Sequence, residues 1–383
     1  MGKKTILIIL YTLHRSRGTE KIATILGNNF IEIGYNVKYL TFYNSTDKFD
    51  FIGEEFCLNQ RKSKNLFIEI INFFKISYKI AKYCRENNID ISFSHGEEAN
   101  FHNIISKIFF RNPSKIFIQI HSAVNALNKI QKYFIKKLYN YTDRIITIVK
   151  EEESNLINNY NISSSKIKTI YNPVDIKNIE SLKNEDLGEY YELFENKKFT
   201  FINIARLSPE KNQEFLLNSF EIFNKKYKNS QLIILGDGPL KENLNKQRET
   251  LESKENIHFL GNHKNPYKFL DKADCFVLTS NTEGLPGVIL ESLALGIPII
   301  STDCKTGPKE ILRKTINNFG EISDLSLEEY GILIPLNNEN LCFEAMEKIY
   351  LDKSLRENYK IKGLERSKYF QFDKIMKNWK EIL

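Results

Sequence analysis

The stretch that decides the fold is TSNTEGLPGVILESLALG, residues 279–296. An apolar run, ADCFVL at 273–278, comes directly before it and predicts a buried strand. Inside the stretch, Gly284–Gly287 predicts a turn, and residues 288–295 predict a helix that a glycine ends. Residues 297–301 predict the next strand. The loop of this strand–loop–helix–strand unit therefore lies at the carboxyl end of a strand, where open α/β sheets bind ligands.

Two carboxylates, Glu283 and Glu291, stand eight positions apart in this unit. Glu283 falls in the loop and Glu291 early in the helix, so both can face the ligand crevice. Free N–H groups at the nearby helix start favour anions. A carboxylate pair suits sugar hydroxyls, because its oxygens accept strong, charge-assisted hydrogen bonds. Taken alone, the pair is equally consistent with a helix-start carboxylate and a solvated glutamate.

The stretch resembles the paired-glutamate motif of retaining GT-B glycosyltransferases of family 4. That motif has Glu, seven residues and Glu, with Gly-Leu-Pro after the first Glu, as here at 283–291. The likeness extends over essentially the whole chain. The string DCKTGPKEIL at 303–312 resembles bacterial members that build surface polysaccharides and lipid-linked glycans. The resemblance implies an α/β fold of two Rossmann-like, doubly wound parallel-sheet domains that face a central cleft.

Strand and helix signals alternate along the chain, which favours parallel, doubly wound sheets. A length of 383 residues fits two domains. We predict a first domain over 1–175, a linker over 176–197 and a second domain over 198–364. The resemblance implies that the first binds the acceptor, that the second binds a nucleotide-sugar, and that a last helix in 365–383 packs back on the first domain.

The charge is unevenly distributed between the two halves. Residues 1–175 hold 25 Lys/Arg and 16 Asp/Glu, a balance of +9, and the remainder hold 30 and 32, a balance of −2. A basic half suggests an anionic partner, such as a lipid diphosphate or a membrane surface. Basic amphipathic helices are predicted at 65–86 and 129–140, and such helices can lie on anionic membranes. For 65–86 taken alone, a helix packed on the sheet with a solvated basic face is the favoured interpretation.

Several classes of protein are excluded by what the sequence lacks. There is no apolar run of about 18 residues, so no transmembrane helix is expected. The apolar start is followed by no small-residue cleavage site, which favours a first strand over a signal peptide. Five scattered cysteines fit a reduced cytoplasm, so we expect a cytoplasmic protein; peripheral attachment to the inner face of the plasma membrane is compatible with this expectation. No stacking motif supports nucleic-acid binding.

Arg206 and Lys211 follow the strand predicted at 198–205 and flank a turn that leads into a helix. Two cations at a strand end, beside a helix start, suit a diphosphate. The plain alternative is two exposed basic residues in a βα loop. The spacing, with Pro209 between the two, matches the diphosphate clamp of the family closely.

The resemblance also assigns roles at the donor site. It implies that Glu291 accepts hydrogen bonds from the ribose and that Glu283 holds hydroxyls of the donor sugar; it leaves open whether Glu283 also acts as a nucleophile. A nucleotide base would lie against the loop after the strand at 256–260, through backbone contacts. The further donor-site residues implied are Asn262, His263, Gly284, Leu285 and Pro286.

The loop after the first strand contains Gly18, which permits close approach of a phosphate or sugar to the backbone. On spacing alone, an ordinary βα turn is favoured there. Family members usually have Gly-Gly-x-Glu at this place, and here Arg17 replaces the first glycine and could supply charge. His95 and His121 end two predicted strands of the first half. A histidine so placed is more often structural, but His121 matches the family's histidine near the donor sugar, and we predict it contacts the region of the reacting carbon.

The predicted function is a retaining glycosyltransferase that moves a hexose or N-acetylhexosamine from a UDP-linked donor onto a polyprenyl-diphosphate-linked glycan. No Asp-x-Asp and no His/Cys cluster with metal spacing occurs, so we expect no metal and no cofactor besides the nucleotide-sugar substrate. Alternatives are a soluble acceptor, a nucleotide-sugar epimerase or hydrolase of the same fold, and a non-catalytic carbohydrate-binding protein. The four intact residues Arg206, Lys211, Glu283 and Glu291 argue against the last.

Overall fold

The computed structural model describes residues 3–15, 18–60, 63–195, 197–315 and 319–383. Arg17, which replaces the first glycine of the family's loop and could supply charge there, lies outside the described residues. The chain divides into two compact units, Met1–Tyr171 and Asn172–Leu383, called here the first and second unit. The boundaries predicted from sequence and the docking of the last helix stay predictions.

The first unit is built on a seven-stranded sheet with the order β3-β2-β1-β4-β5-β6-β7, in which every neighbouring pair is parallel. Its strands are β1 (Thr5–Leu10), β2 (Asn36–Thr41), β3 (Glu54–Cys57), β4 (Ile91–His95), β5 (Lys115–Ile120), β6 (Arg144–Thr147) and β7 (Ile167–Thr169). Its helices are α1 (Gly18–Glu32), α2 (Leu66–Glu86), α3 (Glu97–Phe110), α4 (Lys129–Leu138) and α5 (Lys150–Tyr160). The predicted doubly wound parallel sheet is confirmed for this unit.

Local sequence explains where these elements form. All six residues of β1 are buried, as expected of a central parallel strand that reads as a continuous apolar run. The side chain of Asn65 accepts hydrogen bonds from the first backbone N–H groups of α2. Asn128 and Gln131 form a capping box at the start of α4. These caps fix the two helix starts that flank α3.

The second unit has a second seven-stranded sheet with the order β10-β9-β8-β11-β12-β14-β13. Its strands are β8 (Phe199–Ile204), β9 (Ser230–Leu235), β10 (Ile257–Gly261), β11 (Cys275–Leu278), β12 (Ile299–Thr302), β13 (Ser326–Glu328) and β14 (Gly331–Ile334). Its helices are α6 (Ile176–Leu182), α7 (Tyr191–Glu195), α8 (Gln213–Lys226), α9 (Lys241–Thr250), α10 (Tyr267–Leu270), α11 (Gly287–Ala294), α12 (Pro308–Leu312), α13 (Glu339–Leu351), α14 (Lys353–Ser367) and α15 (Phe372–Lys380).

Two details of the second unit differ from the sequence prediction. The helix predicted over 265–273 is only the short α10, because Pro266 precedes its first turn and Asp271 already ends it. The edge strand β13 was not predicted, and it pairs antiparallel to β14. The remaining described strand pairs of this sheet are parallel, so the doubly wound architecture is confirmed here too.

Two glycines fit the turn after β9 tightly against the loop after β8. Gly236 has a φ of +142°, and a Cβ placed on it would lie 1.9 Å from the carbonyl oxygen of Ala205. A Cβ on Gly238 would lie 2.3 Å from the carbonyl oxygen of Leu207. Because only glycine allows this approach, the turn supports the loop that carries Arg206.

The helix α2 differs from the favoured interpretation of its sequence. Its carboxyl-terminal half packs on the sheet through buried residues that include Ile76 and Ile80. Its amino-terminal half leaves large apolar side chains in solvent, with Leu66 75% and Phe67 70% exposed. The favoured interpretation, a helix packed on the sheet with a solvated basic face, therefore holds for the second half of α2 and not for its first half.

Within the described ranges, no helix combines the length and the apolar character that crossing a membrane would require. In the same part of the chain, no group of three or more His, Cys, Asp or Glu side chains is placed to hold a metal ion.

Candidate active site

The predicted donor-site residues of the second unit lie along one edge of its sheet. Arg206 follows β8, Asn262 follows β10, Glu283 follows β11 and Thr306 follows β12. Because these four strands are parallel, their carboxyl ends meet at the same edge. The structure thus brings together, at one edge, residues that are up to 100 positions apart in sequence.

An ion pair between Lys211 and Glu283 lies at the centre of this edge. Lys211 Nζ is 2.6 Å from Glu283 Oε1, and the side chains are 23% and 10% exposed. Ser280 Oγ donates a hydrogen bond to the same Oε1 at 2.6 Å. Among the described residues, both bonds to this carboxylate fall on Oε1, so Oε2 can still accept a hydrogen bond. The sequence predicted both charged residues but not their contact.

Backbone and side-chain bonds hold together the two loops that carry this pair. Thr279 Oγ1 donates to the carbonyl oxygen of Lys211 at 3.0 Å. The backbone N–H of Asn281 donates to the carbonyl oxygen of Glu210 at 2.8 Å. Because each loop is bonded to the other, the ammonium and the carboxylate are held in position before any ligand binds.

The loop after β12 closes against the other side of Glu283. Thr306 Oγ1 donates to the carbonyl oxygen of Glu283 at 2.5 Å. Gly307 has a φ of +79°, and a Cβ on it would lie 2.1 Å from the carbonyl oxygen of Gly284. Glycine at 307 is therefore needed both for its backbone conformation and for the close contact between the two loops.

Glu291 is the fifth residue of α11, which begins directly after the buried residues Leu285 and Pro286. Its carboxylate is half-buried, and Tyr267 Oη donates to Glu291 Oε1 at 3.3 Å. The start of α11 lies at the carboxyl edge because the helix follows β11, and among the described residues no side chain caps it. Glu291 and the start of α11 therefore belong to the same edge as Glu283.

Asn262 and His263 follow β10 at the far side of this edge. Asn262 is exposed. The ring of His263 packs at a centroid distance of 4.6 Å from Phe269, and its Nε2 is 3.0 Å from the carbonyl oxygen of Leu260. Because the ring is engaged in packing, the backbone of this loop is more accessible to a ligand than the ring of His263 is, and the contact with a nucleotide base stays a prediction.

Arg206 presents a guanidinium group to solvent while its backbone is fixed. The residue is exposed, and its carbonyl oxygen accepts a hydrogen bond of 3.0 Å from Nε2 of the buried Gln213. An exposed guanidinium group on a fixed backbone is suited to bind a phosphate that arrives from solvent.

In the first unit, His95 and His121 form a pair that the sequence did not reveal. His95 ends β4 and His121 follows β5, which is the neighbouring strand. His95 Nδ1 lies 3.1 Å from His121 Nε2, with the ring planes 30° apart. Burial lowers the pKa of His121 to about 3, and burial together with the neighbouring His121 holds the pKa of His95 well below its ordinary value. Both rings are therefore neutral near pH 7, and one donates to the other. The contact of His121 with a donor sugar stays a prediction.

Gly18 is the exposed first residue of α1, and a Cβ placed on it would meet nothing within 4 Å. The protein itself does not require glycine here on steric grounds. Any requirement for glycine at 18 would have to come from a ligand that approaches the backbone.

A buried ion pair behind the site was also missed by the sequence interpretation. Lys309 Nζ lies 3.3 Å from Asp303 Oδ1, and each side chain is only 1% exposed. The same Nζ donates to the carbonyl oxygens of Phe319 and Gly320 at 3.1 Å. The only signal was the position of the two charged residues on either side of the Gly-Pro turn in the string at 303–312. The pair ties the loop after β12 to the segment that follows α12.

Both units match profiles of known glycosyltransferase families. The profile described as "Glycosyl transferases group 1" matches residues 191–366, and that described as "Glycosyltransferase Family 4" matches residues 16–178. An uncharacterized glycosyltransferase of Methanocaldococcus jannaschii is 35% identical over 376 residues, which cover 91% of this chain and 92% of the relative. The chain belongs to the glycosyltransferases of group 1 and family 4. The predicted membership and the predicted enzyme class are thereby confirmed.

One further relative and one solved structure are similar to this glycosyltransferase over most of its length. An N-acetylgalactosamine-N,N'-diacetylbacillosaminyl-diphospho-undecaprenol 4-alpha-N-acetylgalactosaminyltransferase of Campylobacter jejuni is 29% identical and covers 81% of each chain. The crystal structure of Anabaena HepE in complex with UDP has a TM-score of 0.78 at 16% identity, covering 99% of this chain and 98% of that one. The latter likeness confirms the predicted GT-B fold.

Proposed function

We propose that this glycosyltransferase transfers a hexose or N-acetylhexosamine from a UDP-sugar, with retention of anomeric configuration, onto a polyprenyl-diphosphate-linked glycan. The observation that carries the proposal is the Lys211–Glu283 pair at the sheet edge, with Arg206 on the same loop as Lys211 and Glu291 on the helix that follows Glu283. The site offers both cations for a diphosphate and carboxylates for hydroxyl groups.

The proposed chemistry breaks the bond between the sugar C1 and the diphosphate oxygen and forms a bond from C1 to the acceptor oxygen on the same face. The leaving diphosphate oxygen takes the proton of the acceptor hydroxyl, so the products are UDP and the glycoside. Arg206, Lys211 and the start of α11 stabilise the charge that develops on the diphosphate. Glu283 Oε2 holds a hydroxyl of the donor sugar, and Glu291 holds the ribose.

The nature of the acceptor is supported by a relative. The Campylobacter jejuni enzyme is named for a diphospho-undecaprenol substrate. The Anabaena protein binds UDP on the same fold, which supports the nucleotide. A transferase that acts on a lipid-linked glycan must reach the membrane surface that holds it.

We further propose that the first unit attaches the enzyme peripherally to an anionic membrane, which would place it in the cytoplasm at the inner face. Residues 1–175 carry a balance of +9, and α2 and α4 expose lysines next to apolar side chains. Lysines near an anionic surface contribute about 1 kcal/mol each, and exposed apolar groups enter the interface. Sedimentation with vesicles tests this: binding to phosphatidylglycerol vesicles should exceed binding to phosphatidylcholine vesicles, and equal, weak binding to both would refute it.

The transferase proposal is tested by nucleotide release on a panel of UDP- and GDP-sugars, with and without polyprenyl-diphosphate-linked glycans, for the wild type and Glu291→Ala. Acceptor-dependent release of UDP that the substitution lowers at least a hundredfold would support it and identify the donor. Nuclear magnetic resonance of the product would report the anomeric configuration. Release of UDP that does not depend on any acceptor would favour a hydrolase, and isomerisation of the nucleotide-sugar would favour an epimerase. Transfer to free sugars alone would favour the alternative of a soluble acceptor.

A further inference from the structure

A groove of about 700 Å³ runs along α3 in the first unit. Phe101, Ile105 and Phe109 of α3 form its floor, while Phe74 of α2 and Phe134 of α4 stand on opposite walls. The floor extends along α3 from Glu98 to Phe109, which at 1.5 Å per helical residue is a length of roughly 16 Å. A groove of this volume is within the range of sites that hold a single small ligand.

The two ends of the groove differ in polarity. Glu69, Glu98 and Gln131 line one end, together with Tyr43, which follows β2. This end lies at the carboxyl edge of the sheet, because Glu98 is in the first turn of α3. Toward the other end of α3 the lining becomes apolar, and Phe74 meets Phe109 there with a ring-centroid distance of 5.8 Å. The groove thus matches an amphiphile whose head lies at the sheet edge.

The apolar walls are not covered by the rest of the first unit as described. Phe109 is 61%, Ile70 50%, Phe134 44% and Phe74 40% exposed. Contiguous exposed apolar surface of this kind marks an interaction site. A shallower groove of about 340 Å³ shares Ile70 and Phe74, so the apolar track continues beyond the first groove.

We propose that this groove binds the isoprenoid chain of the acceptor, an inference that rests on the proposed function. An isoprenoid has no hydrogen-bonding group and matches a lining of phenylalanine and isoleucine. Its head would then emerge at the edge of the sheet where ligands bind in this fold class. The exposed lysines Lys75, Lys79, Lys136 and Lys137 on the two flanking helices complement the anionic bilayer from which the chain would enter.

The carboxylates at the polar end decide which part of the acceptor enters the groove. Glu69 Oε1 accepts a hydrogen bond of 2.5 Å from the backbone N–H of Ser63, and Glu98 lies in the first turn of α3. Carboxylates suit hydroxyl groups and repel a diphosphate. The hydrocarbon therefore occupies the groove, and the diphosphate lies outside it. It follows that an isoprenoid alcohol should bind at least as tightly as its phosphate.

Matched substitutions separate the groove from the exposed apolar surface around it. Phe74→Ala and Phe134→Ala remove groove walls. Phe67→Ala and Tyr133→Ala are the controls, since these side chains are 70% and 59% exposed on the same two helices and do not line the groove. All four residues are at least 40% exposed, so none of the variants should prevent folding.

The full chain is assayed for binding of tritiated geranylgeraniol, geranylgeranyl phosphate and palmitate. We expect geranylgeraniol to bind, and each groove variant to weaken it at least tenfold, because a phenylalanine side chain contributes about that much when its contact with an apolar ligand is lost. The controls should change affinity by less than twofold. A benzophenone-bearing geranylgeraniol should cross-link to peptides of α2, α3 and α4 that contain groove residues.

Other results would overturn the inference. Palmitate binding as tightly as geranylgeraniol would show a general acyl site. Equal effects of control and groove variants would show a bilayer contact only, and a dimer that Phe74→Ala or Phe134→Ala dissociates would show that a second copy covers the groove. If the enzyme glycosylates lipid-linked acceptors regardless of their chain length and does not bind geranylgeraniol, the role of the groove is refuted and the proposed function stands. If geranylgeraniol binds in the groove but the enzyme glycosylates no lipid-linked acceptor, the proposed function is refuted and the groove remains an isoprenoid site.

Discussion

Lys211 and Lys309 allow a sharp test, because each pairs with a carboxylate in the loops of the same sheet edge and only Lys211 faces the proposed ligand. Lys211→Met removes a cation that the proposed mechanism needs at the leaving diphosphate. Loss of one such electrostatic contact typically lowers kcat by 10²–10³-fold, or about 3–4 kcal/mol of transition-state stabilisation. Since the Lys211 and Glu283 side chains are 23% and 10% exposed, their pair contributes no more than about 1 kcal/mol to folding after solvent screening.

Lys309→Met is the matched control. Lys309 and Asp303 are each 1% exposed, so removing the lysine leaves a buried carboxylate without its partner. Breaking a buried pair in this way costs about 3–5 kcal/mol. For a unit of this size, 1 kcal/mol shifts the melting temperature by about 2–4 °C. Lys309→Met should therefore lower the melting temperature by roughly 6–20 °C, and Lys211→Met by about 4 °C at most.

Circular dichroism melts and UDP-release kinetics on the two variants measure both effects. Lys211→Met should lose turnover while it stays folded. Glu283→Gln and the double variant complete a mutant cycle, in which the double variant should lose less turnover than the two single losses combined, because the two side chains act together. The reasoning is refuted if Lys211→Met retains more than a tenth of the wild-type turnover, or if it melts as early as Lys309→Met.

Further outcomes follow from single positions. Gly307→Ala should lower stability by about 1–3 kcal/mol in urea titrations, since its Cβ would clash with a carbonyl oxygen, whereas Gly18→Ala should melt like the wild type and lose turnover only if a ligand contacts this backbone. Burial raises the pKa of Glu152 to about 7, so the stability that protonated Glu152 contributes below pH 4.5 is lost as the pH rises to 7. The free energy of unfolding from melts should fall by about 3 kcal/mol between pH 4.5 and 7, and Glu152→Gln should make this fall smaller. Because the pKa of His121 is about 3, the pH–rate profile between pH 5 and 8 should show no ionisation that His121→Ala removes, even where that substitution lowers kcat.

The sequence was sufficient to predict the sheets and to place the candidate site residues of the second unit at one edge of its sheet. Apolar runs such as β1 identify buried parallel strands, and polar residues directly after such runs must lie at the carboxyl edge of the sheet. This is why Lys211 and Glu283 could be named as neighbours of a ligand. The short α10 was predicted too long, because a few apolar residues between polar ones do not define where a helix ends.

Contacts across neighbouring strands could not be predicted in the same way. Lys211 meets Glu283 because β8 and β11 are adjacent in the sheet, although β9 and β10 lie between them in the chain. The pair of His95 and His121 likewise depends on the adjacency of β4 and β5. Sequence spacing places a residue at an edge, but the strand order decides which residues at that edge touch.

The first half of α2 shows the other limit of a sequence pattern. Periodicity indicates which side chains of a helix share a face, and it does not indicate whether another element covers that face. The apolar face of α2 is covered by the sheet around Ile80 and is left open around Phe67 and Phe74. Exposed phenylalanine gives no burial energy to the isolated protein and favours aggregation. We therefore expect a ligand to cover this open apolar face between the lysine-bearing helices. A hydrocarbon chain would match its apolar side chains, and an anionic bilayer would match its lysines.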